Sequence, residues 1–207
     1  MPSNIYLDKN SPITKTQTCD LHHWFQEEKM QFVTFRLADS LPGSVTEQIK
    51  DVIQRFEIDH PKPWSDQEIR QYQKAIGNFN EDILDKGYGS CSLRQTHIRK
   101  IVVDSLHFWN HDKVEIEAYV IMPNHIHILL RPLGDETIED ILGRIKSYTA
   151  RLINKETASS GALWQREIWA RIIRNPAHFS KSVEYIRQNP KNLPPDSYTL
   201  YLKEAYR

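Results

Sequence analysis

The stretch Val114–Arg131, VEIEAYVIMPNHIHILLR, decides the fold. Val114 to Met122 alternates as a strand, Pro123-Asn124 is a turn signal, and His125 to Arg131 is a second strand, so the two pair as an antiparallel hairpin. Residues two apart on a strand share a face. His125 and His127 therefore project together, while Ile126, Ile128 and Leu130 point the other way, into a core. Upstream, Gln31–Leu37 (QFVTFRL) is rich in β-branched and aromatic residues and reads as a strand closed by the turn-prone Asp39 to Gly43. A helix then starts at a capping box, Ser44 with Glu47, and buries Val45, Ile49, Val52, Ile53 and Phe56. Ile98, Ile101, Val102, Ser105 and Leu106 give a second amphipathic helix. Downstream, Thr137 and Asp140 cap a helix that buries Ile138, Ile141, Leu142, Ile145 and Leu152. Trp169 to Arg174 reads as a further strand, and Ala177 to Asn189 as a last helix stopped by Pro190. This order predicts an α+β sandwich, an antiparallel sheet covered by helices. One domain spans residues 31–192, with an insertion of mixed character at about 57–92, an N-terminal extension over 1–30 and a C-terminal tail over 193–207.

The chain has 207 residues, 26% charged and 39% hydrophobic with seven glycines, the composition of an ordinary folded protein. No apolar run approaches the roughly 18–20 residues needed to span a bilayer, and the N-terminus lacks a hydrophobic signal region, so a cytoplasmic protein without a membrane partner is expected. Cys19 and Cys91, single and far apart, argue against both a disulfide framework and a cysteine zinc site. Net charge is zero, but its distribution is uneven: residues 141–191 hold ten Lys or Arg against three Glu, while residues 1–140 hold fifteen positives against twenty-two negatives. A basic block of this kind suits a nucleic-acid partner.

Two imidazoles on one strand face can hold one metal ion, although a His-x-His pair by itself is more often a half-exposed surface pair. A third ligand is needed. In the last helix Phe179, Val183 and Ile186 form the buried stripe, and Tyr185 lies more than about 100° from it, among His178, Lys181, Ser182, Gln188 and Asn189. Asn189, one turn after Tyr185, is the third ligand candidate, with Gln188 as the fallback. Tyr148 is the rival tyrosine, but its position falls within the apolar stripe of Ile141, Ile145 and Leu152, so core is expected. Arg144, Arg151 and Lys155 share one side of that helix, which also carries Lys146. Arg166, Arg171 and Arg174 lie near the following strand, and together these cations are candidates for a phosphate backbone. Trp164 and Trp169 are candidates for stacking on unpaired bases, with core packing at least as well supported for each.

Three motifs carry a resemblance. Ala118–His127 (AYVIMPNHIH) resembles the His-hydrophobic-His signature of the HUH single-tyrosine transposases, especially the REP-associated tyrosine transposases. Leu163–Arg166 (LWQR) with Arg171 and Arg174, and then Glu184–Pro190 (EYIRQNP), resemble the second half of the same domain, in the same order. The similarity extends from about Gln31 to Asn192. It implies a ferredoxin-like, RRM-like sandwich in which Tyr185 attacks a DNA phosphate, stays attached as a 5′-phosphotyrosine and leaves a free 3′-hydroxyl. It also implies a divalent metal, Mg²⁺ or Mn²⁺, held by His125, His127 and Asn189. The implied partner is single-stranded or hairpin DNA, the implied assembly a monomer or homodimer. Two rivals are a catalytically silent DNA-binding relative and a metal-dependent nuclease that uses water, for which Tyr185 would be structural. The insertion at about 57–92 and the Lys191–Pro195 continuation depart from the family's pattern.

Overall fold

In a computed structural model, which describes residues 5–8, 10–11, 14–18, 21–65, 67–68, 71–72, 74–75 and 83–206, the chain runs β1 (Thr14–Thr18), β2 (Leu21–Phe25), β3 (Gln31–Arg36), α1 (Gly43–Asp59), α2 (Thr96–Trp109), β4 (Val114–Ile121), β5 (His125–Pro132), α3 (Ile138–Glu156), β6 (Trp169–Ile172), α4 (Pro176–Gln188) and β7 (Thr199–Leu202). β1 and β2 form a separate hairpin. The others make one antiparallel sheet in the order β6-β3-β5-β4-β7. Without β7, the path β3-α2-β4-β5-α3-β6 is the ferredoxin-like βαββαβ arrangement. The α+β reading holds.

The deciding hairpin pairs Val120 with His127 and Ile121 with Ile126. Its register shifts between Ile116 and Ala118, and this bulge at Glu117 resets the alternation of β4. Val114, Ile116, Tyr119 and Ile121 consequently join the core on one face, and Ala118, Val120 and Met122 the core on the other. The first face is covered by α2 and α3: Val33, Phe35, Ile126, Ile128 and Leu130 pack with Val102, Leu106, Ile141 and Ile145. The second is covered by α4, whose Phe179, Val183 and Ile186 meet Phe32, Val120 and Leu129. Thr137 caps α3 as expected, its hydroxyl accepting from the Asp140 N–H at 3.2 Å and donating to the Asp140 carboxylate at 2.7 Å. Such a cap contributes about 1 kcal/mol. Each buried Ile or Leu of α3 contributes about 1.5–3 kcal/mol, so packing fixes this helix and the cap sets where it starts.

Three expectations are corrected. The Ser44/Glu47 capping box does not form: α1 begins after Pro42 with no side-chain cap, and none of its residues is fully buried. Its apolar stripe meets the insertion and the edge strand β6. Val45 and Ile49 rest on Leu41, Ile83 and Leu84, while Val52, Ile53 and Phe56 rest on Tyr72 and Trp169. Second, residues 199–202 of the expected tail are β7, which extends the sheet beside β4 with Tyr119 opposite Tyr201. Lys203 clamps this edge, its ammonium 2.9 Å from Glu115 Oε1 and 2.8 Å from Glu117 Oε1. Arg99 holds the approach by donating to the Asp196 carbonyl at 2.7 Å and the Thr199 hydroxyl at 2.9 Å. Third, the N-terminal extension carries the β1-β2 hairpin. Among the described residues no helix is long and apolar enough to cross a membrane. Cys91 is a free, buried thiol, and Cys19 lies outside the described residues.

Candidate active site

β5 sets His125 and His127 on the α4 side of the sheet, both fully buried, with their Nε2 atoms 3.1 Å apart. Asn124 fixes the first ring. Its Nδ2 donates to the carbonyls of Leu84 (3.3 Å) and Tyr88 (3.0 Å), so the atom left to face His125 Nδ1 at 2.8 Å is Oδ1, an acceptor. His125 Nδ1 must then carry the proton, and Nε2 a lone pair. His127 Nδ1 lies 2.7 Å from the Thr34 hydroxyl, which can donate or accept. Thr34 therefore tolerates both His127 tautomers. With one, His127 Nε2–H donates to His125. With the other, two lone pairs converge, an arrangement that only a cation between them relieves.

Burial lowers the His125 pKa to about 3. Burial, with His125 and Arg171 nearby, also holds His127 well below the ordinary imidazole value. Both rings are neutral at physiological pH, the form in which imidazole ligates metals. Asp85 Oδ1 approaches His125 Nε2 at 3.8 Å, and with the ring uncharged this is not an ion pair.

α4 brings the tyrosine. Asn175 caps it, accepting from the His178 N–H at 2.8 Å, and Pro176 opens its first turn. The half-buried Tyr185 ring packs edge-on against His127 (centroids 5.2 Å, planes 76°) and against Phe32 (5.7 Å, 77°). One turn on, Asn189 ends α4, and its Oδ1 is buried without a hydrogen-bond partner among the described residues. The fallback, Gln188, is exposed and donates to Glu184 at 2.8 Å. Among the described residues no three His, Cys, Asp or Glu cluster as metal ligands, so an amide must complete any set built on the two imidazoles. The orphaned Asn189 oxygen fits that need, because a buried acceptor left unmade costs about 1–3 kcal/mol unless something uses it.

The cations divide between the two sides of the sheet. Arg171, directly opposite Phe32 in the β3–β6 pairing, lies over the Phe32 ring at 5.4 Å on the histidine side. Arg174 is exposed at the end of that strand, and its N–H donates to His178 Nδ1 at 3.2 Å. Arg144, Lys146, Arg151 and Lys155 ride on α3, which covers the opposite face. There Arg144 pairs with Glu136 and lies over Trp109, and Arg151 lies over Tyr148. Lys146 donates to the Arg166 carbonyl at 2.7 Å, and burial lowers its pKa to about 8. Arg166 is exposed.

Tyr148 is not core: it is 48% exposed, because beyond Ile145 the buried line of α3 swings to Thr149 and Ile153. It overhangs a cavity of about 450 Å³ lined by Ile101, Phe108, Trp109 and Leu152 among others. Both tryptophans are buried, and Trp164 donates to Thr149 at 2.9 Å; packing, not base stacking, accounts for them. Sequence reasoning missed Thr34, Asp85 and Asn124. The only trace of Asn124 was its place in the Pro-Asn turn beside His125.

Residues 92–189 match the family of IS200-like transposases. A Haemophilus influenzae protein named for the REP-associated tyrosine transposases is 28% identical over 90 residues, 39% of this chain and 51% of that one. The alignment thus spans about half the length of that relative. Among solved structures, a REP-associated tyrosine transposase bound to a REP hairpin aligns over 82% of this chain and 70% of that one, at 18% identity and a TM-score of 0.41. A protein from Deinococcus radiodurans described as a transposase aligns over 80% and 93%, at 13% identity and a TM-score of 0.33. The resemblance read from the sequence is shown over residues 92–189, the segment that contains His125, His127, Tyr185 and Asn189.

Proposed function

We propose that this chain is a DNA transposase of the single-tyrosine type, which cleaves and rejoins single-stranded or hairpin DNA through Tyr185. The observation that carries the reading is the packing of the Tyr185 ring against the second of two neutral, buried imidazoles whose Nε2 atoms lie 3.1 Å apart, and the buried, orphaned oxygen of Asn189, four residues after Tyr185, supports the third ligand. In this reading His125, His127 and Asn189 hold Mg²⁺ or Mn²⁺. When bound, the ion withdraws charge from the scissile phosphate and offsets the weakness of a phenol, pKa near 10, as a nucleophile.

The chain's own residues do the rest by positioning. Asn124 and Thr34 hold the imidazoles from behind, so their metal-facing nitrogens need not reorganise. Phe32 and His127 confine the Tyr185 ring, and Arg171 above Phe32 places a fixed positive charge beside the phosphate path. The Tyr185 oxygen forms a bond to phosphorus as the bond to the 3′ oxygen breaks. The phenol proton is lost to solvent, and the 3′ oxygen leaves as a hydroxyl. Rejoining reverses these steps, with a 3′-hydroxyl attacking and the phenol leaving, so a phosphodiester is remade without ATP.

The test is a denaturation-resistant adduct between the protein and labelled hairpin DNA in Mn²⁺. Tyr185→Phe is expected to abolish it. Cleavage that survives this change would instead assign the reaction to water, and DNA binding without cleavage in the unaltered chain would assign a silent regulatory role.

A further inference from the structure

We propose that Arg36 binds the DNA phosphate next to the one Tyr185 attacks, on the His125 side of the site, and so fixes the register of the strand on the protein. The proposal rests on the tyrosine reading above and adds a residue outside 92–189, the segment shared with the IS200-like family. Its first support is place. Val33, Phe35 and Leu37 join the core beneath α2 and α3, whereas Phe32 and Thr34 lie on the histidine face. Arg36 is the next residue of that second series. It stands directly opposite His125, as Thr34 stands opposite His127, and such partners hold their Cβ atoms about 4.5–5.5 Å apart. Arg171, opposite Phe32, lies farther along the same face. Arg36 and Arg171 therefore stand at opposite ends of the strip that holds the imidazoles.

Its second support is direction. The Leu37 N–H bonds the Asn124 carbonyl at 2.9 Å, and in an antiparallel pair the N–H and C=O of one residue face the same neighbour. Arg36 Nη1 donates to that Leu37 carbonyl at 3.4 Å and to the Ser40 hydroxyl at 3.1 Å. The guanidinium therefore leans toward Asn124, the residue that holds His125. Ser40 is buried and donates to the same carbonyl at 2.7 Å, which keeps both acceptors in place.

Its third support is charge. Arg131, Arg144 and Arg187 each meet a carboxylate at 2.5–2.6 Å, and the buried Arg99 engages acceptors through Nε, Nη1 and Nη2. Arg36 is half-buried yet bonds through Nη1 alone, to two neutral oxygens; among the described residues its Nε and Nη2 make no hydrogen bond. Burial lowers its pKa, while Glu167 raises it from beyond ion-pair distance. The same carboxylate acts on Lys146, so two cations share one acid. A partly desolvated cation without its own counter-ion is costly. A phosphate that takes Nε and Nη2 together, in the bidentate manner of arginine, relieves that cost.

The experiment uses the full chain and hairpin DNA with a single-stranded flank across the cleavage point. Binding is read over a range of salt without metal, and adduct yield in Mn²⁺. Arg36→Gln should weaken binding about tenfold or more and lower the salt slope by about one. Arg36→Lys should keep the slope and lose only part of the affinity. One uncharged methylphosphonate is then walked through the flank. At the position next to the cleaved phosphate it should weaken the unaltered chain as much as Arg36→Gln does, and should not weaken Arg36→Gln further, a non-additivity that a merely structural role would not give. An unchanged salt slope in Arg36→Gln, equal losses in both proteins at every position, or no sensitive position beside the cleaved phosphate would overturn the role of Arg36. The tyrosine reading would still stand if the unaltered chain formed its adduct through Tyr185. No adduct with the unaltered chain, or one that survives Tyr185→Phe, would overturn both.

Discussion

The two faces of the sheet share every strand and differ in what they bury. On the α2–α3 face the strands contribute Val33, Phe35, Ile116, Ile126, Ile128 and Leu130, an apolar layer joined by Tyr119, whose hydroxyl lies 3.0 Å from His107 Nε2. On the α4 face the neighbouring positions are Phe32, Thr34, His125, His127 and Arg171, with Leu129 and Val120 around them. Alternation along β3 and β5 therefore separates structure from candidate chemistry one residue at a time. Buried polar groups are costly unless paired, and here each imidazole has a dedicated partner in Asn124 or Thr34. A similar division applies to the positive charge, which the sequence presents as one block and the fold distributes over both faces.

The sharpest way to break this contrast is to change one tyrosine on each face. Tyr185→Phe should lower adduct formation at least about a thousandfold with hairpin binding intact, whereas Tyr148→Phe should leave the adduct yield unchanged; denaturing gels read both. Loss in the second and not the first would move the site to the other face. Next is acidity. The folded histidines keep pKa values below the ordinary 6.5 of the unfolded chain, so below that value the unfolded state binds more protons. Stability should be fully present above pH 6.5 and fall as pH drops towards the His125 value of about 3, by up to about 1.4 kcal/mol per pH unit for each ring. Urea unfolding of the metal-free protein at pH 7 and pH 5 measures this, and a His125→Gln, His127→Gln double variant should flatten the difference.

Smaller effects sharpen the same picture. Asn124→Ala should destabilise the fold by about 1–3 kcal/mol and weaken Mn²⁺ binding about 10–100-fold, since it frees the ring and the turn together; equal Mn²⁺ affinity would remove its positioning role. Smallest are the cations. Arg171→Ala should slow adduct formation as well as weaken hairpin binding, while Arg151→Ala on α3 should affect binding only, each reducing the salt dependence by about one phosphate contact. If Arg151→Ala slowed the adduct equally, the two faces would not be functionally separate.

The deciding hairpin was legible because Val114–Arg131 carries its own strand periodicity and turn residue, and His125 and His127 because spacing by two places them on one face. Phe179, Val183 and Ile186 likewise showed which way α4 would lie, and hence that Tyr185 stood off its core. What escaped depends on distant partners. The amide of Asn124 meets carbonyls 36 and 40 residues away; locally it is only a turn residue. Thr199–Leu202 is too short to show a period, and it becomes a strand through pairing with β4. The Tyr148 expectation failed because a helical wheel assumes one unchanging buried line, whereas beyond Ile145 the buried line of α3 runs through Thr149 and Ile153 and leaves Tyr148 outside it.

The β7 pairing has a practical consequence for minimal versions of this protein. A chain cut at residue 189, where the family match ends, would keep both histidines, Tyr185 and Asn189, yet expose the β4 rim that β7 covers, including backbone groups from Ala118 to Ile121. It would also strand Glu117, buried at the bulge, without the Lys203 ammonium. An open rim of unpaired amides beside a buried carboxylate invites strand-to-strand aggregation, so such a truncation should be far less soluble than the full chain even with its candidate site complete.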